Sequence, residues 1–378
     1  MRKRKSVAVP FTKPFSRIDM KDVAKVGGKN ASLGEMFRRL KGQGIRVPDG
    51  FAVTSAAYWR FLDSAKLRPE IKRIMKGLDV KDIKELRSRG QLVRETILAA
   101  ELPSDLVRDI VKAYADLARR SGREVEVAVR SSATAEDLPG ASFAGQQESY
   151  LNIHGQEELL RAIKRCFASL FTDRAIVYRE EKGFGHLKVA LSVGVQVMVR
   201  SDLASAGVMF TIDTESGFRD AVLVNAAYGL GESVVQGKVT PDQYYVYKPL
   251  LKDGLRPIIG KRLGDKESKI VYDHDGERAT KMVPVPRDDR QKYCLTDNEV
   301  LQLAKWGVMI EKYYSRLSKS DRPMDIEWAK DGKTGELFIV QSRPETVIAG
   351  RDANVLTNYV LKKTGKTLTS GLAIGEKI

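Results

Sequence analysis

The sequence predicts an α+β fold in two subdomains, and three observations carry that reading. Helical periodicity dominates the first third of the 378 residues, strand-like alternation takes over from Val189, and an alternating hairpin follows one further helix. The stretches "NASLGEMFRRLKGQG", "SAAYWRFLDSA" and "RGQLVRETILAAELPSDLVRDIVKAYADLARRSG" have helical spacing, and "EVEVAVRSS" reads as a strand running into a polar turn. An amphipathic helix over "EELLRAIKRCFASLFTDRAIVYREEKG" puts Leu160, Ile163, Phe167, Leu170 and Phe171 on one core-facing stripe. Strands follow in "KVALSVGVQVMV", "AGVMFTID", "DAVLVNAAYG" and "DQYYVYK", then a helix in "DNEVLQLAKWGVMIEKYY". The expected organisation is a subdomain over 1–188, a second over 189–347, and 348–378 as a linker plus the start of a further unit. The segment "ETVIAGRDANVLTNYVLKKTGKT" reads as linker, and "LTSGLAIGEKI" begins a strand-like unit that it does not finish, so the ending reads as cut.

Composition narrows the function classes. The chain has no run of eighteen apolar residues, and "MRKRKSVAVPF" lacks the apolar stretch and cleavage site of a signal peptide. Its two cysteines, Cys166 and Cys294, are far apart and outside any CxxC pattern, which argues against a disulfide framework or zinc site and for a cytoplasmic protein. His154, His186 and His274 form no metal spacing and no nucleophile–histidine motif. The formal charge of +16 invites nucleic acid, yet basic residues alternate with acidic ones, as in "MKGLDVKDIKELRSRG", and no nucleic-acid-binding signature is present. The expectation is a solvated basic surface that favours anionic ligands, with neither a nucleic acid nor a membrane as partner.

The hairpin, "RPMDIEWAKDGKTGELFIVQSRPE", holds the densest chemistry. Residues two apart on a strand share a face, so Asp325 goes with Glu327 and Gln341 with Arg343. A turn centred near Lys333 and Thr334 sets Asp325 opposite Arg343 and Glu327 opposite Gln341. Hard oxygen donors beside a guanidinium suit a divalent cation and a polyphosphate. A solvated hairpin face with a cross-strand ion pair fits the same pattern.

Two loops add to it. "VGGKNASLGEM" is a glycine turn opening a helix with Lys29 at its start, a setting for an anion as well as for an ordinary surface lysine. It is no Walker A loop, since Val23 and Asn30 stand where Gly and Ser or Thr are required. "VAVRSSATAEDLPGASFAGQQES" carries Arg130 at the end of a strand, followed by a long loop of small residues suited to a ligand flap. "NAAYGLGESVVQGKVTPDQYYV" opens like a dinucleotide turn with Gly229 and Gly231. Val234 replaces the third glycine, and Gly237 and Pro241 forbid a long helix, so dinucleotide binding is rejected.

In order and wording, "GGKNASLGEM", "VPDGFAVT", "AVRSSATAEDLPGASFAGQQESYLN", "MVRSDLASAGVMFTIDTESGF", "AAYGLGESVVQGKVTPDQYYV" and "RPMDIEWAKDG…VQSRPETV" resemble the N-terminal nucleotide-binding region of the phosphoenolpyruvate synthase family, the pyruvate, water dikinases. The resemblance runs from about residue 15 to 350. It implies an ATP-grasp-like fold of two subdomains with Mg·ATP in the cleft between them. It also implies transfer of the ATP β-phosphate to a histidine on a later swivelling domain, and finally to pyruvate, giving phosphoenolpyruvate, AMP and phosphate.

Residue by residue, Lys29 and Arg130 match the phosphate-binding pair, Gly145 and Ser149 match flap contacts, and Gln196 matches the adenine–ribose hinge. Glu327 and Gln341 match Mg²⁺ ligands, Asp325 a supporting carboxylate, and Arg343 the arginine at the reacting phosphates. Arg343, Lys29 and Arg130 are thereby the expected catalytic groups. The expected partners are ATP and the swivelling domain, with pyruvate reached only through domains absent here. Val197 departs from the basic residue usual at its position, and "YYSRLSKSDRPM" is longer than the family's approach to the hairpin. Two other readings are an antibiotic kinase like rifampicin phosphotransferase and a stand-alone ATP-binding regulatory module.

Overall fold

The computed structural model describes residues 10–122, 125–134, 148–273 and 279–349. The chain divides into two compact units, Met1–Gly42 with Pro48–Met198, and Gln43–Val47 with Val199–Ile378. Helices and sheets occur in both, as an α+β chain requires.

The sheet of the first unit contains β1 (Thr12–Pro14), β2 (Gly50–Val53), β3 (Val127–Ala133), β4 (Ser149–Ile153) and β5 (Leu191–Val197). All pairings are antiparallel, in the order β1-β2-β5-β3-β4. Its helices are α1 (Val23–Arg39), α2 (Ser55–Ser64), α3 (Leu67–Met75), α4 (Ile83–Ala99), α5 (Ser104–Ser121), α6 (Gly155–Ser169) and α7 (Asp173–Glu181). Alternate strand residues Val127, Val129, Val193 and Val195 enter one core with Tyr58, Phe61, Phe167 and Phe171. α1 lies against the opposite, polar face: Asn30 bonds Ser192 Oγ at 3.1 Å and its own Val26 carbonyl at 3.0 Å.

Local chemistry sets the breaks. Pro103 separates α4 from α5, because a proline cannot donate within a helix but suits its entry. The single helix expected over residues 157–183 is two. The N–H groups of Phe171 and Thr172 turn back to Ala168 and Ser169, and α7 starts after Thr172. The apolar stripe survives the break, with Ile163, Phe167, Leu170 and Phe171 buried and Leu160 half-buried. The units divide after Met198 and not at 188/189. β5 pairs with both β2 and β3 at the centre of the first sheet, and nothing in its own alternation says which sheet takes it.

The second unit has strands β6 (Ser205–Phe210), β7 (Ala221–Tyr228), β8 (Asp242–Tyr247), β9 (Ile258–Arg262), β10 (Ser268–Tyr272), β11 (Thr280–Pro284), β12 (Met324–Lys330) and β13 (Leu337–Pro344). Six of them form an antiparallel sheet in the order β13-β12-β6-β7-β8-β9, and β10 pairs with β11. The helices are α8 (Glu232–Val235), α9 (Arg287–Arg290) and α10 (Asp297–Ser318). Thr296 and Glu299 close a reciprocal cap at the start of α10. α10 packs on the sheet face that carries Met209, and Gly307 leaves room for that side chain. The unusually long stretch before the hairpin is simply the last turn of α10 and its exit. Lys319, at φ +57°, donates its N–H to the Ser315 carbonyl, and Arg322 N–H reaches Ser315 Oγ at 2.9 Å.

Asp22 ties the entry of α1 to β1. Its carboxylate receives Lys13 Nζ, Lys25 Nζ and the Asp19 N–H. Burial pushes the carboxyl up, but the Lys13 hydrogen bond, the Asp19 amide, the Lys13 charge and the Lys25 hydrogen bond outweigh it and hold it below the ordinary aspartate value. A lowered folded-state value means a contribution present above the ordinary aspartate range and lost as pH falls through the folded value. We expect Asp22→Asn to lower unfolding free energy by about 1–3 kcal/mol at pH 7, the usual cost of leaving a buried partner unsatisfied. The gap should close through the acid range in denaturant titrations at stepped pH. A gap of constant size down to pH 3 would contradict this.

Candidate functional site

In the first unit the site residues share one sheet face, and the sequence dictates which. Directly opposed residues of antiparallel strands point the same way. Arg130 on β3 opposes Gly194 of β5 on one side and Ser149 of β4 on the other. Two residues along, Gln196 opposes Ala128 and Gly50. Arg130, Ser149 and Gln196 therefore lie on the face away from the valine core. Gln196 is 4% exposed, and its Nε2 has no hydrogen-bond partner among the described residues. A buried amide with an unused donor costs stability unless something is bound to it.

The lysine loop is fitted to this same face. Gly27 sits at φ +73° and ψ 165° and interrupts α1, so the helix proper restarts at Gly28 with Lys29 beside it. A Cβ at position 27 would lie 2.5 Å from the Ser132 carbonyl oxygen, so only glycine allows the approach. Gly194 is required for a matching reason, since a Cβ there would meet Asn30 Oδ1 at 2.3 Å. Half-buried Lys29 is thus held at a helix start over the strand that carries Arg130.

In the second unit the hairpin pairs as the alternation suggests, Asp325 with Arg343 and Glu327 with Gln341. The next pair is Trp328 with Ile339, which leaves Val340 without an opposite residue. That bulge decides the site. Without it Ile339 and Gln341 would share a face; with it Ile339 enters the core beside Trp328 while Gln341 and Arg343 join Glu327 and Asp325. Arg343 donates through Nε to Asp325 Oδ2 at 2.8 Å, with the terminal nitrogen at 2.7 Å. Burial raises the Asp325 carboxyl above its ordinary value despite the guanidinium, and the neighbouring Glu327 and Glu345 charges add to the rise.

Two polar residues on the same face escaped the sequence reading. Glu327 opposes Val208, Val208 opposes Asn225, and Asn225 opposes Gln243. Asn225 is 2% exposed and its Oδ1 lacks a partner among the described residues. One polar residue inside the apolar run "AVLVNAAY" was the available signal. Gly145 and most of the small-residue flap lie outside the described residues. Among the described residues no group of three or more His, Cys, Asp or Glu is placed to hold a metal. A cation here would be held by Glu327, the Gln341 amide oxygen and ligand oxygens, a donor set that fits Mg²⁺. No helix among the described residues is long and apolar enough to cross a membrane.

Comparison with known proteins identifies the family. The family model for the pyruvate phosphate dikinase AMP/ATP-binding domain matches residues 23–362. The phosphoenolpyruvate synthase of Synechocystis is 54% identical over 369 residues, which cover 96% of this chain and 45% of that protein. The Escherichia coli phosphoenolpyruvate synthase is 48% identical over 371 residues, covering 98% and 46%. The probable phosphoenolpyruvate synthase of Methanocaldococcus jannaschii is 44% identical over 379 residues, covering 98% and 30%. The chain spans less than half the length of these curated relatives. It belongs to the family of pyruvate phosphate dikinase AMP/ATP-binding domains.

Proposed function

We propose that the chain is the ATP-binding, phosphoryl-donating part of a phosphoenolpyruvate synthase, with an ATP-grasp-like fold whose two units both contribute to Mg·ATP binding. The observation that carries this reading is the Val340 bulge, which puts two carboxylates, an amide and an arginine on one sheet face. Lys29, Arg130 and Ser149, with Gly145 of the flap, hold the phosphates. Gln196 offers its unused amide donor to the adenine–ribose end. Glu327 and Gln341 hold Mg²⁺, which when bound neutralises charge on the phosphate oxygens. Asp325 orients Arg343 through their 2.8 Å hydrogen bond, so the guanidinium faces the reacting phosphates.

The rest of the reaction belongs to domains beyond this chain. The β-phosphate passes to a histidine of a swivelling domain and then to pyruvate, giving phosphoenolpyruvate, AMP and phosphate. Phosphoryl transfer needs positioning and charge stabilisation more than covalent chemistry from the protein, and these residue types supply both. Free thiols at Cys166 and Cys294 suit the reducing cytoplasm in which we place the enzyme.

Calorimetric titration of ATP should show tighter binding with Mg²⁺ than with chelator, because Glu327 otherwise meets phosphate charge unscreened. Equal affinity in both conditions would count against the hairpin as a cation site. Arg343→Ala should keep ATP affinity within about tenfold, roughly 1.4 kcal/mol, while suppressing phosphoryl transfer in the complete enzyme by far more. The reason is that the arginine interacts most strongly as charge shifts in the transition state. Matched losses in affinity and rate would make Arg343 a ground-state anchor only.

A further inference from the structure

The face switch at Val340 is accompanied by a second feature that the proposed site does not use. The chain leaves the first unit after Gly42, gives Gln43–Val47 to the second, and re-enters the first at Pro48. Among the described residues β13 is an edge strand, with β12 as its only partner in the sheet. The outer edge is met by this five-residue strap at one point, where the Ile339 N–H donates to the Arg46 carbonyl at 2.8 Å. Ile339 is the residue immediately before the bulge. Ile45 and Val47 are buried on either side of that contact, at 0% and 5% exposure. The Arg46 side chain turns outward to Glu336, the residue just before the same strand, with 3.1 Å between Nε and Oε1.

We propose that the strap Gln43–Val47 is a positioning element for Gln341 and Arg343. A bulge interrupts ladder hydrogen bonding and leaves a strand free to slip, and a slip by one residue would carry both side chains to the core face. The Arg46 carbonyl fixes the Ile339 amide from outside, and the Arg46–Glu336 pair fixes the strand on the turn side of it. The bulge is thereby held at Val340, and Gln341 and Arg343 stay on the face of Glu327 and Asp325. An unpaired edge also invites foreign strands, so the strap covers the site strand as well as aligning it.

The inference rests on the proposed Mg²⁺-dependent nucleotide site. Its test reads the ratio of ATP affinity with Mg²⁺ to that with chelator, measured by calorimetry on the 378-residue chain. This ratio does not depend on the fraction folded, so simple destabilisation leaves it unmoved. Glu336→Lys sets like charges against Arg46 at a half-exposed position, and the ratio should fall about threefold. Adding Arg46→Glu to that variant should restore it. Ile45→Ala, which loosens the strap from within, should lower the ratio about five- to tenfold. Ile310→Ala on α10 is the control for core damage in the same unit and should lower stability without changing the ratio. A ratio unchanged in Glu336→Lys and Ile45→Ala would overturn the positioning role, as would a fall of equal size in Ile310→Ala. A ratio near one in the parent chain would instead refute the cation site itself, so the two failures are distinguishable.

Discussion

On a β-strand the face taken by a side chain is fixed by parity, and one extra residue reverses it for everything downstream. In β13 that extra residue is Val340. Upstream of it Leu337 and Ile339 fill the core; downstream, Gln341 and Arg343 stand with Glu327 and Asp325. A regular strand could satisfy one of these demands and not both. The candidate chemistry of the second unit therefore depends on a local irregularity held in an otherwise regular antiparallel sheet. Natural bulges are found beside functional sites for this reason, since they re-aim side chains while the sheet around them stays paired.

The first unit solves a comparable problem with absent side chains. Gly27 and Gly194 remove the Cβ atoms that would keep α1 off the sheet, and Asn30 fills the approach with hydrogen bonds to Val26 and Ser192. Asp22 then anchors the helix entry to Lys13. Lys29 is placed by backbone close to a strand, and Arg130, Ser149 and Gln196 by strand parity. The polar groups are costly where they stand. Gln196 Nε2 has no partner among the described residues, and burial raises the Asp325 carboxyl above its ordinary value.

Much of this was legible in the residues. The alternation around Asp325 and Arg343 contains the hairpin and its pairing, because period-two patterning and a glycine-rich turn are strictly local signals. The glycine turn before Lys29 was equally plain. The bulge was not, since Val340 differs from its neighbours in no property a pattern can register. The strap was hidden because its partner Ile339 lies hundreds of residues along the chain. The place of β5 in the first sheet was hidden for the same cause: strand order in a sheet is a tertiary fact, set by which neighbours bury its valines. Short strands such as β1, β9 and β10 escaped as well, having too few residues to show a period.

The central proposal is that this chain grips ATP as a phosphoryl donor for a histidine on another domain. The direct measurement is transfer of label from ATP marked in the β-phosphate, with the swivelling domain of a phosphoenolpyruvate synthase supplied as a separate polypeptide. Separation lowers the acceptor's effective concentration, so transfer should be slow and should rise with added domain. The account predicts phosphohistidine on the added domain and none on this chain. Label on His154, His186 or His274, or no label on the added domain at any concentration, would contradict it.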